Sequence, residues 1–139
     1  MVSRAFACLV LASAMAWPSA AAAAERAKAQ VACAPTGKKL VYECEIVLMG
    51  RKSGAPLQGA KLVVGADMPS MPLAHNVRPV TAAPGGKPGM YTATIELEMH
   101  GEWALKLDVS GPTRDRLIHK MHFGAAKGAT TGHGHHMKK

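Results

Sequence analysis

Aromatic side chains are scarce in this chain, at 4% of 139 residues, and the basic residues that outnumber the acids by 17 to nine are nowhere interleaved with them. The Lys and Arg positions are spread along the sequence without a dense block, so the footprint of a nucleic-acid-binding protein is missing. Catalytic signatures are missing too. There is no nucleophile elbow around a serine, no HExxH helix, no glycine-rich phosphate loop and no pair of carboxylates with an evident cleft, and the expectation is a protein that is not an enzyme. Cysteine is limited to three residues without a CxxC spacing, which argues against a redox or thiolate metal motif. Long helical periodicity is absent after residue 30, and so are internal repeats.

What is present begins with a leader. A single Arg4 precedes an uncharged run from Ala5 to Ala24, interrupted by Pro18 and rich in small residues from Ser19 onward. This pattern reads as a signal peptide over residues 1–24, cut after Ala24 with Ala22 as the second choice. An uncleaved membrane anchor is the rival, because the uncharged run approaches the ~20 residues a bilayer requires. Either way the chain is expected in the periplasm or secreted. Removing Arg4 takes the formal charge from +8 to +7, a basic surface that suits solubility and attraction to anionic lipid or acidic partners. Cys8 lies inside the leader, which leaves Cys33 and Cys44 as an even pair in an oxidising compartment and predicts a disulfide.

Residues 25–124 form one domain by length and pattern. Leu40, Tyr42, Cys44, Ile46 and Leu48 alternate with Glu43 and Glu45. Tyr91, Ala93, Ile95, Leu97 and Met99 alternate with Thr92, Thr94, Glu96 and Glu98. Trp103, Leu105, Leu107 and Val109 alternate with Lys106 and Asp108. Period-two patterning of this kind marks half-buried strands. Shorter strands are expected over 30–34, 59–65, 77–81 and 114–123, with turns at 35–37, 53–56, 84–89 and 110–112, and His100-Gly101 reads as a tight hairpin turn. Seven short antiparallel strands in about 100 residues predict an all-β, immunoglobulin-like sandwich. After Phe123 the composition turns to Gly, Ala, Thr, His and Lys with no apolar face, and residues 125–139 read as a disordered His-rich tail.

With these elements placed, the stretch from about Lys28 to Phe123 resembles the YtkA-like domain family, small exported or membrane-tethered sandwiches related to FixH-type proteins. The resemblance rests on Met68-Pro69-Ser70-Met71-Pro72, on the Pro84 to Gly89 turn followed by Met90-Tyr91, and on Met99-His100-Gly101-Glu102-Trp103 ahead of Leu105 and Leu107. It implies an Ig-like fold and a link to copper handling or to assembly of copper-containing respiratory complexes. A membrane copper transporter or a respiratory-complex assembly component is then the implied partner.

The candidate chemistry is that of soft donors. Nine methionines stand against two Phe and two Tyr, and seven of them lie beyond residue 24. Once both thiols are locked in a disulfide, Cu(I) must be held by thioether and imidazole. Met68 and Met71, spaced by prolines that favour polyproline II, are expected on one side of a stiff loop, with His75 bending in to join them. Met99 continues an inward strand face, where filling the core competes with ligation. His119 and Met121 share one face of the last strand and His122 points to the other, so Met121 and His122 are further candidates. In the tail, His133, His135 and His136 form an auxiliary trap for metal. The reading is a periplasmic Cu(I)-binding carrier or accessory factor; the alternative is an envelope interaction module in which the methionine loop is an adaptable contact surface.

Overall fold

The computed structural model describes residues 25–75 and 77–124. The leader over 1–24 and the tail with His133, His135 and His136 lie outside the described residues. Eight strands run in chain order: β1 (Ala27–Pro35), β2 (Val41–Gly50), β3 (Lys61–Asp67), β4 (Val80–Thr81), β5 (Ala83–Pro84), β6 (Met90–Glu96), β7 (Gly101–Ser110) and β8 (Asp115–Phe123). They form two antiparallel four-stranded sheets in the orders β1-β2-β6-β5 and β4-β3-β7-β8. This is the strand order of an immunoglobulin-like sandwich. The expected seven strands are recovered within a few residues of their bounds, and a two-residue β5 is added between the strand ending at Thr81 and the turn expected over 84–89.

The alternation in sequence became burial because each inner face meets the other sheet. Cys44, Ile46 and Leu48 of β2, Ile95 of β6, Leu62 and Val64 of β3, and Trp103, Leu105 and Leu107 of β7 are all sealed from solvent. Glu43 and Glu45 are exposed. At roughly 25 cal/mol per Å² of apolar surface, each such side chain contributes about 1.5–3 kcal/mol over leaving it in water. Cys33 and Cys44 are direct register partners across β1 and β2 and form a disulfide within one sheet. Tyr91 bonds backbone at both ends of a short connection: its hydroxyl donates to Leu57 O at 2.8 Å and accepts from Ala60 N at 3.0 Å.

One expectation is corrected. His100-Gly101 is not a hairpin turn, because β6 pairs with β2 and β5 while β7 pairs with β3 and β8. Residues 97–100 are an arch from one sheet to the other, begun where Leu97 N donates to Leu40 O at 2.9 Å. Both sheets face the same core, so alternation is the same for an arch as for a hairpin. The consequence falls on Met99, which leaves the inward face and is 39% exposed.

The sandwich has two distinct ends. One gathers the start of the described chain, the 51–60 connection, the 85–89 turn and the 111–114 turn. There the Glu25 carboxylate accepts from Lys52 N, Ser53 N and the Ser53 hydroxyl. The Ser53 hydroxyl first, then those backbone donors, holds this acid below its ordinary range. Gly89, at φ +74°, closes the same end, and a Cβ there would fall 2.7 Å from Leu48 O. The other end gathers the 36–40 turn, the loop after β3, the 97–100 arch and the end of β8.

A thioether and imidazole end of the sandwich

The loop leaving β3 is shaped by Asp67. Its carboxylate accepts from the backbone N of Met68 at 2.9 Å and from that of Leu73, while Lys106 Nζ sits 3.1 Å from its other oxygen. The Lys106 ammonium, with help from these backbone donors, holds the Asp67 carboxyl below the usual carboxylate value. Between the two backbone anchors the chain makes consecutive turns: Met71 N donates to Met68 O at 3.0 Å, and Ala74 N to Met71 O at 3.2 Å. Pro69 and Pro72 each occupy the second position of a turn, which their fixed φ favours. The expected polyproline II stretch is therefore replaced by two turns, and Met68 and Met71 do not share a side. Met68 is 3% exposed and belongs to the core, whereas Met71 is 41% exposed.

The second turn has a peculiarity. Leu73 adopts φ +63°, the conformation a type II turn demands at its third position and glycine supplies most cheaply. Its side chain is nevertheless 91% exposed.

His75 comes in from this loop to the mouth of the sandwich. Its side chain is 11% exposed, and its ring lies 5.1 Å from that of Trp103 at 53°. Nδ1 is 2.5 Å from Glu98 Oε2 on the arch. Because a carboxylate accepts, Nδ1 is the donating nitrogen of this contact, and in the neutral imidazole that tautomer leaves the lone pair on Nε2. That Nε2 is buried and has no hydrogen-bond partner, one of two such side-chain atoms among the described residues. A lone pair held ready on one ring nitrogen while a carboxylate orients the other is the arrangement by which a metal-binding histidine is positioned.

Sulfur surrounds this end. Asp67 pairs with Ala104, so one further step sets Met68 beside Trp103, and Trp103 pairs with Met121 on the other side. The three make a row within one buried cluster at this end of the sheet. Met121 is 5% exposed and Trp103 fully buried. The Met68 methyl lies over Gly101, which has φ +144° and leaves 2.8 Å to where a Cβ would stand. Trp103 Nε1 donates to Met99 O at 3.1 Å, tying the arch to the same row.

Of the sequence candidates, Met68, His75 and Met121 are thus brought to one end around Trp103, and Met71 and Met99 stand exposed at the loop and arch that form its rim. His122 is exposed on the outer face of β8 and is not joined to Met121. His119, on the inner face of β8 opposite Leu105, is the second imidazole whose Nε2 is buried without a partner, and burial pushes its pKa below the ordinary value. Glu98 was read as a solvated outward residue and Trp103 as core alone; their convergence on His75 had no signal in the sequence, because it depends on the arch. No group of three His, Cys, Asp or Glu side chains able to hold a metal exists among the described residues. The donors packed around Trp103 at this end are the His75 imidazole and thioethers, a soft set.

Fold and site together define a small immunoglobulin-like β-domain with a methionine-rich, histidine-bearing end. The chain belongs to the YtkA-like family, whose model matches residues 21–108. The match takes in the loop, His75, the arch and Trp103, and stops before β8. No match was found among curated proteins or among solved structures.

Proposed function

We propose that this protein is a periplasmic Cu(I)-binding carrier or accessory factor, with His75 Nε2 as its imidazole donor and the thioethers around Trp103 completing a soft site. The observation that carries the reading is the buried, unpartnered Nε2 with Nδ1 engaged by Glu98. Leaving a polar atom so buried costs about 1–3 kcal/mol, which a bound ion repays. The candidate sulfurs are Met68, Met121 and, from the rim, Met99 and Met71. Few donors and weak thioether ligation suit an ion that has to be passed on. The absence of a hard or thiolate donor cluster among the described residues supports Cu(I) over Zn(II).

Titration of the chain from Glu25 with Cu(I) under a competing chelator tests this. A one-to-one complex is expected, weakened at least ~100-fold, about 2.7 kcal/mol, in His75→Ala. Equal affinity in the two proteins overturns the assignment.

A second reading, an envelope interaction module, is favoured by Leu73. A large apolar side chain held almost wholly in solvent on a backbone conformation that suits glycine is a costly choice, and such strain collects at contact sites. Cu(I) binding by the wild-type chain separates the two readings, since the module requires none.

A further inference from the structure

The strands at the edges of the two sheets are not alike. β4 and β5 have two residues each, too short to recruit a partner. β8 has nine, but Arg116 and Lys120 stand exposed along it, cations of the kind that keep an edge from pairing. β1 also has nine, and between Lys28 and Pro35 it carries no charge, no proline and, its register with β2 being continuous, no bulge. Its exposed side chains over that stretch are Gln30, Ala32 and Ala34. Among the described residues β1 pairs with β2 alone. We infer that β1 is the contact between two copies of this chain, which join antiparallel about Val31 so that their two β1-bearing sheets become one. None of the copper donors lies on β1, so the inference stands apart from the copper reading.

The backbone sets the register. Arg51 N donates to Arg26 O and Thr36 N to Val41 O, each one step beyond an end of the ladder between β1 and β2, so the even-numbered residues of β1 turn their N–H and C=O toward β2. Those of Ala29, Val31 and Cys33 therefore turn outward, away from the sheet. Antiparallel strands bond where outward residues oppose outward residues, and full overlap of residues 27–35 with their own copy sets Val31 opposite Val31 and Ala29 opposite Cys33. Each such pair exchanges both of its bonds, about six in all. The ends of the strand agree with this register. Ala27 falls opposite Pro35, and no donor is lost there, because Ala27 N already donates to Asp115 Oδ2 at 3.0 Å and proline has no N–H.

The side chains of the outer face fit the same register. Lys28 falls opposite Ala34 of the second copy, and Gln30 opposite Ala32. Within each copy Ala34 is the cross-strand partner of Glu43, and Ala32 that of Glu45. Alanine is too short to stand in the way, so Lys28 of one copy reaches over Ala34 of the other to Glu43, two strands off at ~4.8 Å per strand, a distance the two long side chains span together. Gln30 reaches Glu45 over Ala32 in the same manner. Lys28, Glu43 and Glu45 enter no ion pair among the described residues. Pairing thus brings a cation to an acid that lacks one, and the two-fold axis repeats the contact.

Sedimentation equilibrium of the chain from Glu25, with its disulfide intact, tests this. A monomer–dimer equilibrium is expected, with a Kd of about 1–100 μM. The amides of Ala29, Val31 and Cys33 gain protection from hydrogen exchange as the concentration rises through that range. Ala34→Lys, at an exposed position, sets like charges opposite each other and weakens the dimer at least ~10-fold. Adding Lys28→Glu to it restores the affinity, because the facing charges are then of opposite sign. Ala29→Pro removes an outward N–H, keeps every bond to β2 and abolishes the dimer. If thermal unfolding reports a disturbed fold in that variant, the charge pair decides by itself. A wild-type chain that stays monomeric at about 1 mM overturns the inference. So does a dimer that Ala34→Lys leaves intact, and so does one that Lys28→Glu fails to restore. Cu(I) affinity is expected to be equal in wild type and Ala34→Lys, so the copper reading and the dimer stand or fall in separate measurements.

Discussion

Replacing Tyr91 by Phe removes one oxygen atom from the heart of the frame and almost nothing else. The ring is 2% exposed and would stay packed, so no cavity opens. What disappears is a pair of hydrogen bonds, from the hydroxyl to Leu57 O at 2.8 Å and from Ala60 N to the hydroxyl at 3.0 Å. A buried group left without its partner costs about 1–3 kcal/mol, and Leu57 and Ala60 are only half-buried, so water recovers part of the loss. The expected destabilisation is about 2 kcal/mol, a fall in Tm of roughly 8–16 °C for a domain of this size. Urea unfolding of the oxidised chain at neutral pH measures it, with the slope against denaturant unchanged because the same surface is exposed. Tyr42→Phe is the control: its hydroxyl reaches Gly124 O at 3.4 Å, at the end of the described chain, and its loss is expected to cost under about 1 kcal/mol. Tyr91 also lies at the opposite end from His75, so Cu(I) affinity should not change. A Tyr91→Phe protein within ~0.5 kcal/mol of wild type, or less affected than Tyr42→Phe, refutes the claim that this hydroxyl ties the connection before β3 to the sandwich.

Glu98→Ala should weaken Cu(I) binding about 10- to 100-fold while leaving the fold intact, because the carboxylate orients His75 without being a ligand; chelator competition reads the loss. Removing the Cys33–Cys44 bridge by a double Ala substitution frees a loop of about 11 residues and should cost about 3 kcal/mol in urea unfolding. Leu73→Gly relieves the positive φ and should raise stability by up to about 1 kcal/mol, seen as a higher Tm, whereas loss of stability would mean that the leucine packs in the folded chain. His119 predicts a pH effect. Burial lowers its pKa in the folded state below 6.5, so the unfolded chain binds a proton that the folded chain refuses, and stability should fall as pH drops below about 6.5. Thermal melts between pH 7.5 and 5 should show a shallower fall in His119→Leu.

The strands were legible because burial by one face writes period two into the chain. Tyr42, Cys44, Ile46 and Leu48 declared β2, and Trp103, Leu105, Leu107 and Val109 declared β7, each with the correct inward set. The disulfide followed from an even pair of cysteines. The pairing across residues 97–100 was not legible, since alternation reports which way a side chain faces and says nothing about which strand lies alongside. Met99 was misplaced for that reason. Met68 and Met71 were misplaced because prolines at 69 and 72 suit polyproline II and turns alike, and the choice was made by Asp67, whose carboxylate gathers the backbone donors of Met68 and Leu73.

By itself, then, the sequence determined the all-β class, the inner and outer faces, the disulfide and the stock of soft donors, all properties of residues within one strand or one pair of cysteines. Only the tertiary structure decided which donors meet. Met68 went inward, Met71 and Met99 outward, and His75 found Glu98 and Trp103, because those contacts join a loop, an arch and a strand separated by 23 to 28 residues of chain. Contacts of that range are set by how two sheets pack, and no local pattern encodes it.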